Sequence, residues 1–430
     1  MKRYLLINPW IYDFAAYNFC IKPVGLLRIA EYLRRKDNEV YLINCLDGCF
    51  VHKDSSGFSK IKKERIEKPD ILKKIKRPYF RYGISVSEFN KKLEAISDID
   101  EIFITSGMTY WYPGVHLAIR LARERFRDVP ITLGGIYATL SHSHAVKTSG
   151  ADIVWKGDFL CQEYYFENNF YPAFDLLSDK DILPIQLTRG CPFRCSYCAS
   201  RILNPGFVMK DPLSVFEEIM YYSATFGTKN FVFYDDALAY QGEYGIKRLL
   251  RMIIASGKDF IFHTPNGLHA KFIDEELAEL LKKSGFKDIR ISLETSNENL
   301  QLFTGGKVSN NDLRLALRNL KEAGFEKEDI GVYLLIGAPW LDIKKTMDDI
   351  MFVKSLGVKA ILASYSPIPG TGDYKYLVKN KIISRDIDPL WHNKTIFPEL
   401  LLPNYMDEIQ KIRRYTSHLN RQGGSKYGRI

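Results

Sequence analysis

The sequence lacks any continuous run of 18 apolar residues, the length that a membrane-spanning helix requires. It also lacks a secretory leader pattern, because the apolar core of residues 1–9 is short and ends at Asn8 and Pro9. We therefore expect no membrane span, and we read residues 4–7 as the first strand of the fold.

The cysteines lack the spacing of a disulfide framework. Seven is an odd number, and four of them are scattered along the chain: Cys20, Cys45, Cys49 and Cys161. Outside one short motif there is no second C-x-x-C and no H-x3-H, the paired spacings that structural zinc sites usually use. A reducing, cytoplasmic compartment is expected.

Acidic residues are few relative to basic ones, with 51 Asp and Glu against 61 Lys and Arg. Residues 53–92 hold 13 Lys and Arg against 5 Asp and Glu, and residues 409–430 hold 6 against none. A basic field favours acidic partners, although a solvated basic surface explains the same counts. No aromatic residues alternate with these charges in the way that base stacking requires, so nucleic acid is not favoured.

The first 158 residues alternate short apolar runs with helical stretches, a pattern typical of βαβ units and a doubly wound, Rossmann-like parallel sheet. The predicted strands are residues 4–7, 40–43, 101–106, 130–133 and 151–155, and the predicted helices are residues 25–35 and 114–126. A polar, basic insertion at about 48–98 interrupts the alternation and shows little periodicity before residues 85–96.

Three predicted strands end in small or polar residues, at positions 8–10, 106–109 and 134–139. Ligands of open α/β sheets bind at the carboxyl ends of strands, near a switch in strand order. Small residues there let a ligand approach the backbone. The pattern predicts a ligand-binding domain.

Alternation restarts after an irregular linker at residues 159–182. Six βα units follow over residues 183–373. Right-handed crossovers would curl them into a partial (β/α)6 barrel with the ligand-bearing loops at one mouth. The C-terminal extension, residues 374–430, is mixed, and a basic helix is predicted over residues 405–419.

Residues 191–198 read CPFRCSYC and place three cysteines at C-x3-C-x2-C spacing. A [4Fe-4S] cluster normally takes four cysteine ligands, so three would leave one iron open to a small chelating molecule. This motif resembles the signature of the radical S-adenosylmethionine (SAM) superfamily, in which the amino and carboxylate groups of SAM fill that position. The resemblance implies Cys191, Cys195 and Cys198 as cluster ligands. The alternatives are a structural zinc knuckle and plain cysteines on a loop.

The N-terminal domain, placed before this motif, resembles the cobalamin-binding domain that precedes the barrel in many radical SAM enzymes. That domain carries a serine-containing loop and a Gly-Gly pair after two of its strands. The motif Asp-x-His-x-x-Gly is absent, so the resemblance implies cobalamin without a His ligand to cobalt. The implied cobalamin-binding residues are Asn8, Ser106, Gly107, Met108, Thr109, Tyr110, Trp111, Gly134, Gly135, Tyr137 and Thr139.

The resemblance also implies a SAM pocket in the barrel. Asp235 and Asp236 follow the second strand, where relatives hold the amino group of SAM, and which of the two points inward stays open; a helix cap is the alternative. Ser292 and Glu294 alternate on the fourth strand and are expected on one side of it. Lys307 is a weaker candidate, with a surface turn as the alternative. The implied SAM-binding residues are Tyr197, Asp235, Asp236, Ser292, Glu294 and Ala338.

The implied function is reductive cleavage of SAM at a [4Fe-4S] cluster and, with cobalamin, methylation of an unactivated carbon. One alternative is a cobalamin-associated rearrangement, cyclisation or oxidation without methyl transfer, and another is a non-catalytic iron-sulfur or cobalamin sensor or carrier. Methylthiolation of tRNA would require a further cysteine-bearing cluster domain, against which the scattered cysteines argue. The expected partners are a small-molecule or peptide substrate and an acidic electron donor such as ferredoxin or flavodoxin.

Overall fold

The computed structural model describes residues 1–52, 58–160, 163–167, 169–401 and 405–422. The chain divides into two compact units. The first comprises Met1–Ile182 with Asp386–Asn393, and the second comprises Leu183–Arg385 with Lys394–Ile430. Cys161 and residues 53–57 of the basic insertion lie outside the described part of the chain. Among the described helices, none is both long enough and apolar enough to cross a membrane.

The first unit is built on a five-stranded parallel sheet. The described strands of the first unit, five of which form this sheet, are β1 (Arg3–Asn8), β2 (Ile11–Asp13), β3 (Tyr17–Phe19), β4 (Glu39–Asn44), β5 (Phe50–Val51), β6 (Phe58–Ile61), β7 (Lys63–Ile66), β8 (Tyr79–Tyr82), β9 (Glu101–Ile104), β10 (Ile131–Leu133) and β11 (Ile153–Val154). The sheet order is β11-β10-β9-β1-β4, and all of its pairings are parallel. The strand order reverses between β1 and β9, which is the point where such sheets bind ligands.

Helices cover both faces of this sheet. They are α1 (Val24–Arg34), α2 (Val86–Glu94), α3 (Tyr112–Arg125), α4 (Ile136–Leu140), α5 (His142–Thr148) and α6 (Glu163–Phe166). Because side chains alternate along a strand, Leu5 and Ile7 of β1 pack in the core layer that contains α3, and Leu6 packs in the layer that contains α1. The predicted doubly wound, Rossmann-like fold is confirmed.

Strands of the basic insertion pair with β2 and β3, which precede α1, in two small antiparallel sheets that the sequence did not predict; their orders are β2-β8-β7 and β3-β6-β5. These strands are two to four residues long, and three of the four residues of β7 are exposed. Strands this short carry no readable period. The helix α2 lies in the stretch 85–96, where the sequence pattern becomes periodic again, and it begins where the Ser85 hydroxyl accepts a hydrogen bond from the Glu88 N–H at 3.1 Å.

The second unit is a partial (β/α)6 barrel, as predicted. Its strands are β12 (Ile182–Ile185), β13 (Thr188–Gly190), β14 (Phe207–Met209), β15 (Asn230–Phe233), β16 (Ile261–His263), β17 (Ile289–Glu294), β18 (Ile330–Ile336) and β19 (Lys359–Ser364). The strands β12, β15 and β16 form one sheet and β17, β18 and β19 another, and a parallel bridge between Leu268 and Ile291 links them. The strands β13 and β14 form an antiparallel pair beside the cysteine motif.

The helices of the second unit are α7 (Ser200–Leu203), α8 (Pro212–Phe226), α9 (Ile246–Ala255), α10 (Glu275–Lys283), α11 (Glu298–Phe303), α12 (Asn310–Glu322), α13 (Ile343–Ser355), α14 (Gly372–Lys379) and α15 (Tyr405–Gln422). Buried phenylalanines form much of the core at β15 and β16: the rings of Phe262 and Phe286 lie 5.3 Å apart, and those of Phe233 and Phe286 lie 5.8 Å apart. Burial of each such side chain stabilises the unit by about 2 kcal/mol.

Candidate functional site

The three motif cysteines lie on one loop between β13 and α7. Gly190 turns the chain into this loop with a φ of 78°, and a methyl group there would lie 2.1 Å from the carbonyl oxygen of Gly206. Two other segments hold the loop through its backbone. The Ser196 N–H donates to the carbonyl of Thr304 at 3.0 Å, and the Ser196 carbonyl accepts from the N–H of Asp373 at 2.9 Å.

Glycines let both segments approach the loop closely. A methyl group on Gly305 would lie 2.9 Å from the carbonyl oxygen of Arg194, and one on Gly372 would lie 3.3 Å from the side chain of Ser196. Gly305 also has a φ of 119°, which L side chains rarely adopt. The cysteine loop is therefore fixed from both sides by backbone contacts.

Cys191 and Cys195 are half-buried and Cys198 is exposed. Burial raises the pKa of Cys191 and of Cys195, so both are thiols at neutral pH until a metal stabilises the thiolate. Desolvation by the surrounding protein also raises the pKa of Cys198, to about 11, although the Ser200 N–H, which donates to the Cys198 sulfur at 3.4 Å, partly offsets this rise. In the described residues, no three His, Cys, Asp or Glu side chains are close enough together to hold a single metal ion.

Among the buried polar atoms without a hydrogen-bond partner are Thr264 Oγ1 and His269 Nδ1, both in the segment that follows β16. The ring of His269 stacks on Phe193 of the cysteine motif with centroids 4.9 Å apart, and burial lowers the pKa of His269 to about 3. A buried polar atom without a partner costs about 1–3 kcal/mol. Three thiols on one fixed loop, with the unpaired nitrogen of His269 beside it, fit a cluster and a polar ligand chelated to it.

The two carboxylates after β15 have different partners. Asp235 is buried and accepts from the backbone N–H of Leu187 at 3.0 Å and from the Thr188 hydroxyl at 2.7 Å. Burial raises the pKa of Asp235 to about 7. Asp236 accepts from the Ser200 hydroxyl at 2.5 Å, just beyond the last motif cysteine. Asp235 therefore fixes the approach to the cysteine loop, and Asp236 lies against the helix that leaves it.

The expectation that Ser292 and Glu294 lie on one side of the strand assumed regular alternation, and a β-bulge shifts the pairing register with β18 between these two residues. Both side chains are buried. The Ser292 hydroxyl packs closely against Gly267, so that a methyl group on Gly267 would lie 2.7 Å from the hydroxyl oxygen. Glu294 adopts a φ of 71° and its carboxylate forms an ion pair with Lys307 at 2.7 Å.

Lys307 is not on a surface turn, the alternative that the sequence favoured. Its side chain is 12% exposed, and its ammonium lies 5.6 Å from the centre of the Tyr197 ring. Burial raises the pKa of the Tyr197 hydroxyl. Ala338 is buried in the loop after β18, beside Gly337 with its φ of 79°.

In the first unit, Ser106 joins the loops after β9 and β10 at the switch point. Its hydroxyl donates to the carbonyl of Gly134 at 2.6 Å and accepts from the N–H of Tyr137 at 3.1 Å. A methyl group on Gly135 would lie 2.4 Å from the Ser106 carbonyl oxygen, whereas one on Gly134 would meet no atom within 4 Å. The space beside Gly134 is open, which leaves room for a ligand to approach the backbone there.

Most of the other side chains that the resemblance implied for cobalamin binding form hydrogen bonds to residues of the first unit. Trp111 Nε1 donates to Asp13 at 2.9 Å, Asn8 donates to Asn44 at 2.8 Å, and Thr109 Oγ1 lies 3.1 Å from His392 Nδ1. The Thr139 hydroxyl accepts from the Gly157 N–H at 3.1 Å. Tyr110 is buried, the Trp111 ring lies against Gly107, and Met108 is exposed. The fit to cobalamin thus depends on the glycine backbone and Met108.

Sequence reasoning missed a hydrogen-bonded aromatic cluster in the first unit. Tyr137 OH lies 2.7 Å from His144 Nδ1 and 3.2 Å from His116 Nε2, and burial lowers the pKa of His116 to about 4. Tyr112 stacks on Tyr137 and donates to Asp388 at 3.2 Å. No local pattern could have indicated this cluster, because Tyr112 and Asp388 are 276 positions apart in the sequence.

Comparison with known proteins gives a family match in the second unit. Residues 185–350 match the Radical SAM superfamily, so this stretch is a radical SAM domain. A curated relative from Pyrococcus horikoshii, "Uncharacterized methyltransferase PH0819", is 24% identical over 255 residues, which are 57% of this chain and 52% of the relative. The chain thus spans about half the length of that relative.

Solved structures share the fold. The radical SAM methyltransferase TsrM from Kitasatospora setae, with cobalamin and a [4Fe-4S] cluster bound, matches with a TM-score of 0.64 and 14% identity over 88% of this chain and 78% of TsrM. The cobalamin-dependent radical enzyme OxsB, with aqua-cobalamin and SAM bound, matches with a TM-score of 0.55 and 11% identity over 96% of this chain and 56% of OxsB.

Proposed function

We propose that this protein cleaves SAM reductively at a [4Fe-4S] cluster and, with cobalamin, methylates an unactivated carbon of its substrate. The proposal starts from the match of residues 185–350 to the Radical SAM superfamily. The observation that carries the proposal is the loop of three cysteines held by Thr304 and Asp373 at one end of a partial barrel. The methyltransferase relative and the cobalamin-bound structures with the same fold support the methyl-transfer part.

In this proposal Cys191, Cys195 and Cys198 hold the cluster. A bound cluster supplies the electron that cleaves SAM, and bound cobalamin supplies the carrier for the methyl group. The backbone contacts at Ser196 keep the three sulfurs on one fixed loop. Fixed ligands reduce the reorganisation that accompanies electron transfer and bond cleavage.

Several barrel residues would bind and orient SAM. Asp236 and Glu294 are carboxylates placed at strand ends beside the cysteine loop, and Ser292 is a buried hydroxyl on the same strand as Glu294. Thr264 Oγ1 and His269 Nδ1 would each gain a hydrogen-bond partner when a polar ligand binds. Because His269 is neutral at physiological pH, it would bind without adding charge beside the sulfonium.

In the first unit, the backbone of Gly134 and Gly135 and the side chain of Met108 would contact cobalamin at the switch point. Ser106 would act indirectly, because its hydroxyl holds the two loops at their observed spacing. No His ligand to cobalt is part of the proposal.

The electron donor in this proposal is an acidic protein. The described part of the insertion carries four exposed basic side chains within six consecutive positions: Lys60, Lys62, Lys63 and Arg65. Such a field accelerates the encounter with an acidic partner, and the effect decreases with ionic strength.

The test is an anaerobic reconstitution with iron, sulfide and cobalamin, followed by incubation with dithionite and SAM carrying a deuterated methyl group. Wild-type protein is expected to retain corrinoid and release 5′-deoxyadenosine. The matched control is the triple variant Cys191→Ala, Cys195→Ala, Cys198→Ala, which should release none.

Deuterated methyl on the bound corrinoid would support methyl transfer. Release of 5′-deoxyadenosine without methyl transfer to corrinoid would instead favour rearrangement or oxidation. If reconstituted wild-type protein releases no 5′-deoxyadenosine under any reductant, the enzymatic proposal is wrong and a sensor or carrier role takes its place.

A further inference from the structure

The ion pair of Lys307 and Glu294 is buried beside the cysteine loop. The ammonium and carboxylate are 2.7 Å apart, and their side chains are 12% and 11% exposed. Surface ion pairs contribute little to stability, and buried ones carry a desolvation penalty of several kcal/mol per charge. A buried pair in this position therefore calls for a role besides stability.

The segment that carries Lys307 is docked on the cysteine loop. Thr304 accepts a hydrogen bond from Ser196 at 3.0 Å, and Gly305 packs so closely that a methyl group there would lie 3.2 Å from the Cα atom of Cys195. Lys307 follows Gly305 by two residues. Its ammonium lies 5.6 Å from the centre of the ring of Tyr197, a residue that stands between Cys195 and Cys198 in the sequence. The same ammonium interacts electrostatically with Cys195 and Cys198.

Glu294 is held in an unfavourable backbone conformation. Its φ of 71° lies in the left-handed region, at the end of the bulge that follows Ser292. Such a conformation costs a non-glycine residue free energy and persists where the surroundings enforce it, often at functional sites. The bulge and the left-handed turn bring the carboxylate to Lys307 rather than leaving it on the regular strand.

Arg194 lies on the cysteine loop, but its side chain is exposed to solvent, which screens its charge. His269 is neutral because burial lowers its pKa to about 3, and Asp236 interacts with Cys191 and Cys198 as a negative group. Lys307 is therefore the buried cation that acts on all three cysteines, and Glu294 opposes it with a negative charge.

We propose that the Lys307–Glu294 pair sets the reduction potential of the cluster that the proposed function places on Cys191, Cys195 and Cys198. One-electron reduction adds one negative charge to the cluster and makes or breaks no bond. The ammonium stabilises the reduced cluster relative to the oxidised one, and the carboxylate partly offsets this effect. In this proposal Lys307 acts on the cluster through its positive charge and is not a ligand of the iron. The inference rests on the proposed function, because it requires a cluster at these cysteines.

The test is a redox titration of the anaerobically reconstituted protein without SAM, with dithionite as reductant and the reduced cluster followed by electron paramagnetic resonance. The variants are Lys307→Met, Lys307→Arg and Glu294→Gln, and iron content and thermal unfolding are measured for each. For Lys307→Met, the ratio of reduced to oxidised cluster at the wild-type midpoint should fall at least tenfold, equivalent to 59 mV for one electron. Lys307→Arg should stay close to wild type, and Glu294→Gln should shift the ratio in the opposite direction.

Opposite signs are the critical result, since mere loosening of the loop would move both neutralising variants the same way. Equal midpoints in wild type and Lys307→Met at full iron content would overturn the inference and leave the proposed function intact. If Lys307→Met takes up no iron, the sign of the Glu294→Gln shift decides. Failure of wild type to assemble any cluster would remove the proposed function and this inference with it.

Discussion

The carboxylate of Asp235 accepts hydrogen bonds from both the backbone N–H and the hydroxyl of Thr188, the latter at 2.7 Å. It thereby links the carboxyl end of β15 to the strand that leads into the cysteine loop. The family resemblance implied a SAM contact for Asp235, whereas its observed partners are in the protein.

Asp235→Asn is predicted to destabilise the second unit by about 1–3 kcal/mol, because one acceptor oxygen becomes an N–H2 group that faces buried donors. Urea unfolding followed by circular dichroism would measure the change. Asp236→Asn is the matched control and should cost less, since Asp236 is less buried and no backbone N–H is shown donating to it. Equal losses for the two variants would contradict this assignment.

A second prediction concerns Asp349, which accepts from the hydroxyls of Thr295 at 3.1 Å and Ser296 at 2.6 Å. Burial raises its pKa from 3.8 to about 6, so the folded protein binds a proton there that the unfolded chain releases above about pH 4. This contribution to stability is complete below pH 4 and is lost as the pH rises through 6. It amounts to about 3 kcal/mol.

Asp349→Asn should therefore remove that pH dependence. The difference in free energy of unfolding between wild type and variant, measured from pH 4 to pH 8, should change by about 3 kcal/mol in favour of wild type at the acidic end. A constant difference across this range would show that the pKa of Asp349 is not raised.

A third prediction is that Gly305→Ala impairs cluster assembly. The added methyl group would lie 2.9 Å from the Arg194 carbonyl oxygen, so the segment must move away from the cysteine loop. We expect iron incorporation to fall about tenfold with the fold retained. Gly306→Ala is the matched control: its φ of 60° is also positive, but its methyl group would meet only the end of Leu302 at 3.9 Å. Iron and sulfide analysis after reconstitution distinguishes the two, and similar losses in both would refute the steric explanation.

The cobalamin proposal makes a fourth prediction at Gly134. Gly134→Ala should leave the unfolding temperature within a few degrees of wild type, because its methyl group meets no protein atom within 4 Å. The same methyl group should weaken corrinoid retention about tenfold, measured by absorbance after gel filtration. Gly135→Ala, whose methyl group would lie 2.4 Å from Ser106, should instead unfold at a lower temperature. Unchanged corrinoid retention in Gly134→Ala would exclude that face as the binding site.

A fifth prediction concerns Asp13, which accepts from Trp111 Nε1 and from Asn393 Nδ2, each at 2.9 Å. Asp13→Ala leaves both donors, of which Asn393 is buried and Trp111 partly buried, without this acceptor and should destabilise the first unit by about 3 kcal/mol. The environment of the Trp111 indole should change with it, which tryptophan fluorescence would detect. Trp111→Phe supplies the control for assigning that signal.

Hydrophobic periodicity predicted the parallel strands and most of the helices, because those elements bury long apolar faces. It could not predict strands of two to four residues such as β7, whose side chains are mostly exposed. The cysteine motif indicated the loop but not the segments that hold it. Thr304 and Asp373 act there through backbone atoms, which leave no trace in residue type.

The positions of Ser292 and Glu294 illustrate a different limit. Alternation along a strand assumes a continuous pairing register, and one inserted residue removes that assumption. The sequence indicated a surface turn at Lys307 because Gly305 and Gly306 precede it. Only its contact with Glu294 shows that those glycines bring the chain inward to the cysteine loop.

Residues 386–393 belong to the first unit, although the chain before and after them belongs to the second. The polypeptide therefore passes between the units three times, and no single proteolytic cut can release either one whole. A fragment ending at residue 182 would be missing Asn393 and His392, the partners of Asp13 and Thr109. Gene truncations at the apparent boundary should yield an incomplete, aggregation-prone product, and circular permutation would have to keep this eight-residue return segment attached to its host.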